Sequence, residues 1–200
     1  MRDHPARPLQ DRSIGLGSRF ARGETGVAAI EFAMVVPFLL MGYIAVVEFA
    51  QGAVLARKIS IAQRNLADMT SQEQAAITNA RMDALFKAAK GGISPYDGSK
   101  VTMTVTSVQM VKGSPTILWS DTLSGADVRT QGYAPGPPPF TVPAGMLVEG
   151  ASTIMTEVVY DYEPLMNVIH KTNIKLAGSQ TGKLYMGPRG ASAITRNRAS

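Results

Sequence analysis

The sequence predicts an α+β protein, in which one long N-terminal helix carries a small antiparallel β-sheet domain. Residues Phe32 to Val47 form a run of sixteen residues without charge, which favours a membrane-spanning helix. Apolar residues then recur every three or four positions, which is typical of an amphipathic helical stem. From Val101 the period changes to two, which indicates β-strands. We therefore expect a transmembrane half, a stem and a β-rich domain, in that order.

Composition limits the functions open to this chain of 200 residues. It has no cysteine, so disulfides and cysteine-ligated metals are excluded, and we expect no cofactor. The net charge is +5, of which residues 1–26 contribute +2 and residues 27–200 contribute +3. No block of basic residues with interleaved aromatic residues occurs, so we expect no nucleic-acid partner.

Residues 1–26 form a basic leader that is rich in arginine and glycine and has no apolar period with which to bury a face. The apolar run after it is too long for the core of a secretory signal peptide. We predict a cut before that run. The other predicted divisions are a transmembrane helix over 27–56, a helical stem over 57–92, a β-rich domain over 93–188 and a flexible basic tail over 189–200.

Two residues stand out inside the predicted span. Glu31 lies four apolar residues deep, where an ionised carboxylate costs about 2.5 kcal/mol, so we expect a group that neutralises it. Glu48 is predicted to mark the other membrane edge. Pro37 lies in the middle of the span, where it removes one backbone hydrogen bond, and we expect a helix kink there.

The stem is predicted to continue the same helix. Its apolar stripe places Gln63 on a polar face, and Thr70 with Glu73 has the spacing of a capping box that would restart a second helix. Gly91-Gly92 is expected to end that helix. The apolar positions of the stem are Ile59, Ala62, Leu66 and Met69, and those of the second helix are Ile77, Ala80, Ala84, Leu85 and Ala88.

Five segments of the predicted domain have strand patterns. Val101–Thr106 alternates apolar residues with threonine, and a bulge is expected to extend it to Lys112. Thr116–Ser120 is its predicted hairpin partner, and Ser152–Tyr162 is a long strand. Residues 173–177 and 183–186 are expected to form a last strand pair. Between these strands, residues 132–143 contain five prolines and are interpreted as a spacer, with a docking motif as the alternative.

The candidate catalytic groups are few. Asp161 and Glu163 are two apart on a predicted strand and would face the same side, and His170 is the only histidine outside the leader. The segment Gly178–Lys183 lacks the spacing of a phosphate-binding loop, because Leu184 follows the lysine where a hydroxyl is required. We therefore expect a protein without catalytic activity. A signal-anchored envelope enzyme or binding module that keeps its N-terminus, and an anchor for an envelope polymer, remain as alternatives.

The most specific pattern is Gly23–Leu40, in which Gly26 precedes an apolar helix and an acidic residue stands five places later, followed by Phe32. This pattern resembles the prepilin-type leaders of type IV pilus-like systems. Over residues 20–60 it is most similar to the TadE/TadG-type minor pseudopilins of the Tad (tight adherence, Flp) pilus system. The leader is longer than usual, and Phe32 stands where the major Flp pilins have tyrosine. Both departures favour the minor branch.

The resemblance implies cleavage between Gly26 and Val27 by an aspartate prepilin peptidase, with Glu31 and Phe32 as recognition and assembly residues. It also implies a single-pass protein of the inner membrane, which contacts membrane lipid, other Tad pseudopilins and pilus assembly components. Independently, the five arginines of the leader outnumber the basic residues just after the span. By the positive-inside rule this favours a cytoplasmic N-terminus and a periplasmic C-terminal domain.

Cleavage would place the new Val27 ammonium near the apolar layer, where the Glu31 carboxylate of a neighbouring subunit would neutralise it. The alternative is that Glu31 reaches the cytoplasmic headgroups, since it lies only a turn inside the span.

Overall fold

The computed structural model describes residues 24–74, 76–143, 145–147, 149–164, 174–178, 182–189 and 192–198. It shows a long N-terminal helix and a small antiparallel sheet, which confirms the predicted α+β class. The leader prediction for residues 1–23 lies outside the described residues. The helices are α1 (Glu24–Ser71) and α2 (Asn79–Gly91), and the strands are β1 (Val101–Val111), β2 (Ser114–Leu123), β3 (Arg129–Gln131), β4 (Ser152–Tyr162), β5 (Ile174–Ala177) and β6 (Lys183–Met186).

Helix α1 belongs to both of the compact units into which the chain divides. The division falls between Val47 and Glu48, and each unit is described by itself. Leu55 is fully buried in the core of the second unit. The predicted boundary between span and stem at residue 56 stays a prediction, and Leu55 lies after the uncharged run, which ends at Val47.

The sheet has the order β3-β2-β1-β4-β5, and β6 also pairs with β4. All pairings are antiparallel. The register of β1 against β2 shifts between Ser107 and Val108, which confirms the predicted bulge. The predicted final strand pair is wrong in its pairing. β5 and β6 do not pair with each other but follow one another along the same edge of β4, opposite Val159–Tyr162 and Ile154–Glu157 respectively.

One face of the sheet is covered by the C-terminal half of α1 and by α2, and the core lies between them. The predicted stripe of the stem is confirmed at Ile59, Ala62 and Leu66. Gln63, predicted on a polar face, is buried, because its amide nitrogen donates hydrogen bonds to the carbonyl oxygens of Thr156 (2.7 Å) and Gly182 (3.2 Å).

The start of α2 differs from the prediction. Thr70 lies in the last turn of α1, where its hydroxyl donates to the Leu66 carbonyl, so the predicted capping box is wrong. The N-cap is Thr78, whose hydroxyl accepts from the backbone N–H of Arg81. The helix ends at Gly91 as predicted. Its buried residues are Met82, Leu85, Phe86 and Ala89, and the three predicted alanines are exposed because the larger side chains bury more apolar area.

The proline-rich segment 132–143 and residues 145–147 are bound to the sheet, along an edge of β2 and through side chains of β4. Gly136 exchanges two backbone hydrogen bonds with Ile117, and the Thr153 hydroxyl donates to the carbonyl of Met146. The interpretation as a free spacer is therefore wrong. The threonine face of β1 is more buried than a half-buried strand predicts, and Thr106 shares a hydrogen bond with Ser120 at 2.8 Å.

The predicted flexible tail is wrong for residues 192–198, which pack into the domain. Ile194 is fully buried and belongs to the core cluster. The Trp119 indole donates to its carbonyl oxygen at 2.8 Å. An apolar residue in this basic segment, together with backbone bonds to Ile77 and Ser152, holds it in place.

Candidate functional site

The N-terminal half of α1 is the candidate functional site. It is long and apolar enough to cross a membrane, and its most apolar stretch is not buried inside the protein. At 1.5 Å per residue, Val27 to Val47 extends about 30 Å, the thickness of the hydrocarbon layer. Among soluble proteins a helix that is apolar on all sides is buried. This one is exposed, and it has the length and composition of a membrane anchor.

The exposed apolar side chains lie on every side of this half-helix. They include Phe32 and Phe38, which are more than two-thirds exposed. Residues four or seven positions apart lie on the same face of a helix, whereas consecutive residues lie on different faces. A continuous apolar run therefore places apolar side chains on more than one face. The full set of exposed large apolar residues in this half comprises Val27, Ile30, Phe32, Met34, Val35, Phe38, Leu39, Leu40, Met41, Tyr43, Ile44 and Val46.

The predicted processing residues all lie on this helix. The described helix begins at Glu24, so Gly26 lies within its first turn and not directly before it. A Cβ at Gly26 would meet no other atom within 4 Å, so no packing within the chain requires glycine there. Val27 and Glu31 are one turn apart on the same face, and Glu31 and Phe32 are exposed. The residues on both sides of the predicted cut, Gly26 and Val27, are exposed as well.

Pro37 lies inside α1, which continues across it as one helix. A proline has no N–H to donate to the carbonyl four residues earlier, which is that of Ala33. The predicted kink stays a prediction.

The structure does not assemble the candidate catalytic groups. Glu163 lies beyond the end of β4 and forms an ion pair with Lys100 at 2.7 Å. Asp161 is exposed and stands opposite Lys175 in the strand register. His170 lies outside the described residues. Within the parts of the chain that the structure describes, no group of three or more His, Asp or Glu side chains is placed to hold a metal ion.

One cleft of about 660 Å³ opens between α2 and the turn that follows β2. Lys87 and Asp83 line it on the helix side, and Leu123 and Asp127 line it on the other. Lys90 closes one end through an ion pair with Asp127 at 2.6 Å. Its volume is in the range of small-molecule sites, but Lys90 and Asp127 pair with each other, and Asp83 pairs with Arg129 at 2.6 Å.

A polar cluster links the proline-rich segment to β4. The Tyr133 hydroxyl donates to the Glu157 carboxylate at 3.0 Å. Burial, and then this hydrogen bond, raise the pKa of Tyr133 to about 12. Lys183 lies 3.8 Å from the same carboxylate and 5.4 Å from the centre of the Phe140 ring. Phe140 also contacts Tyr133 edge to face. This cluster attaches the proline-rich segment to the sheet.

A second cluster was missed by the sequence analysis. Asp121 on β2 is buried, and its carboxylate accepts a hydrogen bond from Arg196 Nε at 2.5 Å. Arg198 lies 3.3 Å and Arg129 lies 3.9 Å from the other carboxylate oxygen. The only signal for this cluster is the alternation of Ile194, Arg196 and Arg198 at a period of two, which is typical of an extended strand.

No family model, curated protein or solved structure matches this chain.

Proposed function

We propose that this protein is a single-span, non-enzymatic pseudopilin of a Tad-type pilus assembly system, and that a prepilin peptidase cleaves it between Gly26 and Val27. The observation that carries the proposal is the exposed apolar half of α1, which presents Gly26 and Glu31 at its beginning. In the sequence the same positions carry the resemblance to TadE/TadG-type proteins.

Glu31 has a chemical role in this proposal. A carboxylate one turn inside an apolar layer is costly unless a cation neutralises it. Cleavage supplies such a cation, the ammonium group of Val27. Within a single chain, Val27 and Glu31 are one turn apart on the same helix. In the assembled bundle, pairing of the Val27 ammonium of one subunit with the Glu31 carboxylate of a staggered neighbour would neutralise both charges. Glu31 would then select correctly staggered neighbours.

The apolar surface of α1 would contact lipid before assembly and the helices of other pseudopilins after it. Such helices associate by close packing and by polar pairs, since lipid gives no hydrophobic advantage to helix contact. The C-terminal domain would lie in the periplasm, by the charge bias of the flanks. There it would contact other minor pseudopilins or assembly components.

The test is an immunoblot of the full chain produced with and without a Tad prepilin peptidase. We expect a loss of mass that corresponds to residues 1–26, abolished by Gly26→Ala. Gly42→Ala is the matched control, because it changes another helical glycine whose Cβ would also meet nothing within 4 Å. An unchanged mass in the presence of the peptidase, or normal cleavage of Gly26→Ala, would overturn the processing step.

The role of Glu31 needs a separate measurement. Glu31→Gln removes the charge and keeps the shape, and we expect piliation to fall sharply. Glu48→Gln, at the other end of the apolar run, is the matched control and is expected to retain piliation. Normal surface piliation in the Glu31→Gln strain would show that the carboxylate has no part in assembly.

The alternative is a binding module that keeps its N-terminus, and the cleft beside α2 is the observation that favours it. Lys87 and Asp83 would provide its polar contacts. A small ligand that protects the folded domain against heat, with protection lost in Lys87→Ala, would support this second reading. Complete peptidase cleavage of the same chain would favour the first.

A further inference from the structure

Residues 192–198 are bound like a peptide in a groove, which we call the C-terminal groove. Its walls are the start of β4, the middle of β2 and the residues just before α2. The segment is extended, and its alternate residues Ile194 and Arg196 point into the domain, whereas Thr195 and Asn197 are exposed. Strand addition to an exposed edge uses the same combination of backbone bonds and alternate side-chain pockets.

Backbone bonds fix the register of the segment in the groove. Ile77 donates its N–H to the Thr195 carbonyl at 3.0 Å and accepts from the Asn197 N–H at 2.9 Å, and the pairing at Arg196 is parallel. At the other end, the Ser152 N–H donates to the Ser192 carbonyl at 2.9 Å.

Side chains give the groove its specificity. Ile194 is an apolar anchor in the core, and its carbonyl accepts from the Trp119 indole. The Arg196 guanidinium reaches Asp121, the Ile77 carbonyl and the amide oxygen of Asn79. The contacts of the groove are therefore specific for an extended Ile-x-Arg sequence.

The groove requires an occupant. Asp121 is 1% exposed and the side chain of Arg196 is 2% exposed, so removal of the segment would leave a buried carboxylate without its main partner. A buried charge that loses its partner is strongly destabilising. Trp119 would also lose the acceptor for its indole N–H. Removal of the segment from the groove should therefore destabilise the folded domain.

Almost every bond of the segment is to a residue distant in sequence. The separations run from 40 residues for Ser192 with Ser152 to 120 for Asn197 with Ile77. The exception is a bond from Arg196 to its neighbour Asn197. The same contacts would form unchanged if the segment came from another copy, and exchange of an identical element is a low-cost route to association.

We infer that the C-terminal groove also accepts residues 192–198 of a second copy of this chain, so that neighbouring copies are linked by exchanged segments. Each copy carries both the segment and the groove, which makes the second copy the best-matched partner. Copies held together in one membrane by their apolar helices have a raised effective concentration. The inference rests on the membrane anchor alone and not on cleavage or pilus assembly.

Disulfide trapping in the full chain tests this inference, since the chain has no cysteine of its own. Ser152 and Ser192 are neighbours across the groove. Two differently tagged chains, one with Ser152→Cys and one with Ser192→Cys, are produced together in membranes and oxidised. We expect a disulfide-linked dimer that carries both tags. Ser114→Cys replaces Ser192→Cys in the control, because Ser114 is exposed at the start of β2, and we expect several-fold less dimer.

Two further variants make the result decisive. A single chain with both Ser152→Cys and Ser192→Cys should form an internal disulfide, which shows the arrangement within one copy. Arg196→Glu in the chain that donates the segment places a second carboxylate against Asp121, and should reduce the mixed dimer to the level of the Ser114→Cys control. A mixed dimer no stronger than that control, or a mixed dimer that persists with Arg196→Glu, would overturn the inference.

Discussion

The amide nitrogen of Gln63 on α1 donates to the carbonyl oxygen of Thr156 on β4 at 2.7 Å, and the Thr156 hydroxyl lies 3.4 Å from the carbonyl of Gln63. This reciprocal pair joins the only helix that carries the apolar run to the strand against which β1, β5 and β6 all pair. Gln63 also reaches Gly182, which directly precedes β6. It therefore satisfies one carbonyl of β4, opposite β6, and one in the residue that precedes β6.

Replacement of Gln63 by leucine is expected to destabilise the domain. The Thr156 carbonyl would remain buried without this donor, and a buried polar group that loses its partner costs about 1–3 kcal/mol. The free energy of unfolding would be measured by urea denaturation of the full chain in detergent. The probe is the fluorescence of Trp119, the only tryptophan of the sequence. Gln74→Leu, at an exposed position between α1 and α2, is the control and should change stability by less than about 0.5 kcal/mol.

Arg196→Met is expected to destabilise the domain by about 3 kcal/mol, because it leaves Asp121 buried without its closest cation. Arg129 and Arg198 lie near enough to reduce the loss. The double variant Asp121→Leu with Arg196→Met removes both charges and should be closer to the wild type than Arg196→Met alone. The same denaturation experiment measures both. A double variant less stable than the single variant would contradict this account, and Arg64→Met, an exposed arginine on α1, should be neutral.

Tyr133 should titrate near pH 12 in the folded protein, against about 10 for an unperturbed tyrosine. Burial and the Glu157 carboxylate both favour the neutral phenol, so the folded state holds its proton more tightly than the unfolded state. This contribution to stability is complete below pH 10 and is lost as the pH rises through about 12.

The measurement is an ultraviolet absorbance titration of wild-type protein against Tyr133→Phe, which isolates this phenol from the other five tyrosines. Glu157→Gln should lower the pKa of Tyr133 but leave it above 10, because burial is the larger cause. A difference titration centred at pH 10 in the wild type would refute the contact between the proline-rich segment and β4.

Much of the β-rich domain follows from local pattern. Strict alternation located β1 and β4, and the bulge in β1 was expected because its alternation breaks after Thr106. The local pattern predicts the wrong burial where a side chain forms hydrogen bonds with residues that are distant in the sequence. Gln63 looks like a surface residue in its own helix, and only the uncovered carbonyls of Thr156 and Gly182 explain why it is buried.

The candidate site divides in the same way. The sequence alone located the apolar run and the candidate residues Gly26, Glu31 and Pro37. This was possible because a membrane helix is defined by the length and polarity of one continuous segment. The structure added that the run is exposed on all sides. By contrast, residues 192–198 bind groove residues up to 120 positions away in the sequence, and no local pattern predicts which of them meet.

The sequence by itself thus determined the α+β fold class, the apolar half of the long helix and the positions of the main strands. Each of these depends on residues that are close together in the sequence. Only the tertiary structure decided that the proline-rich segment is bound to the sheet, that β5 and β6 share one edge of β4, and that the basic C-terminal segment is bound in a groove. These features depend on burying specific polar groups against distant partners. Asp121 shows the reason most clearly, because its charge is tolerable in the interior only where the fold brings Arg196 to it.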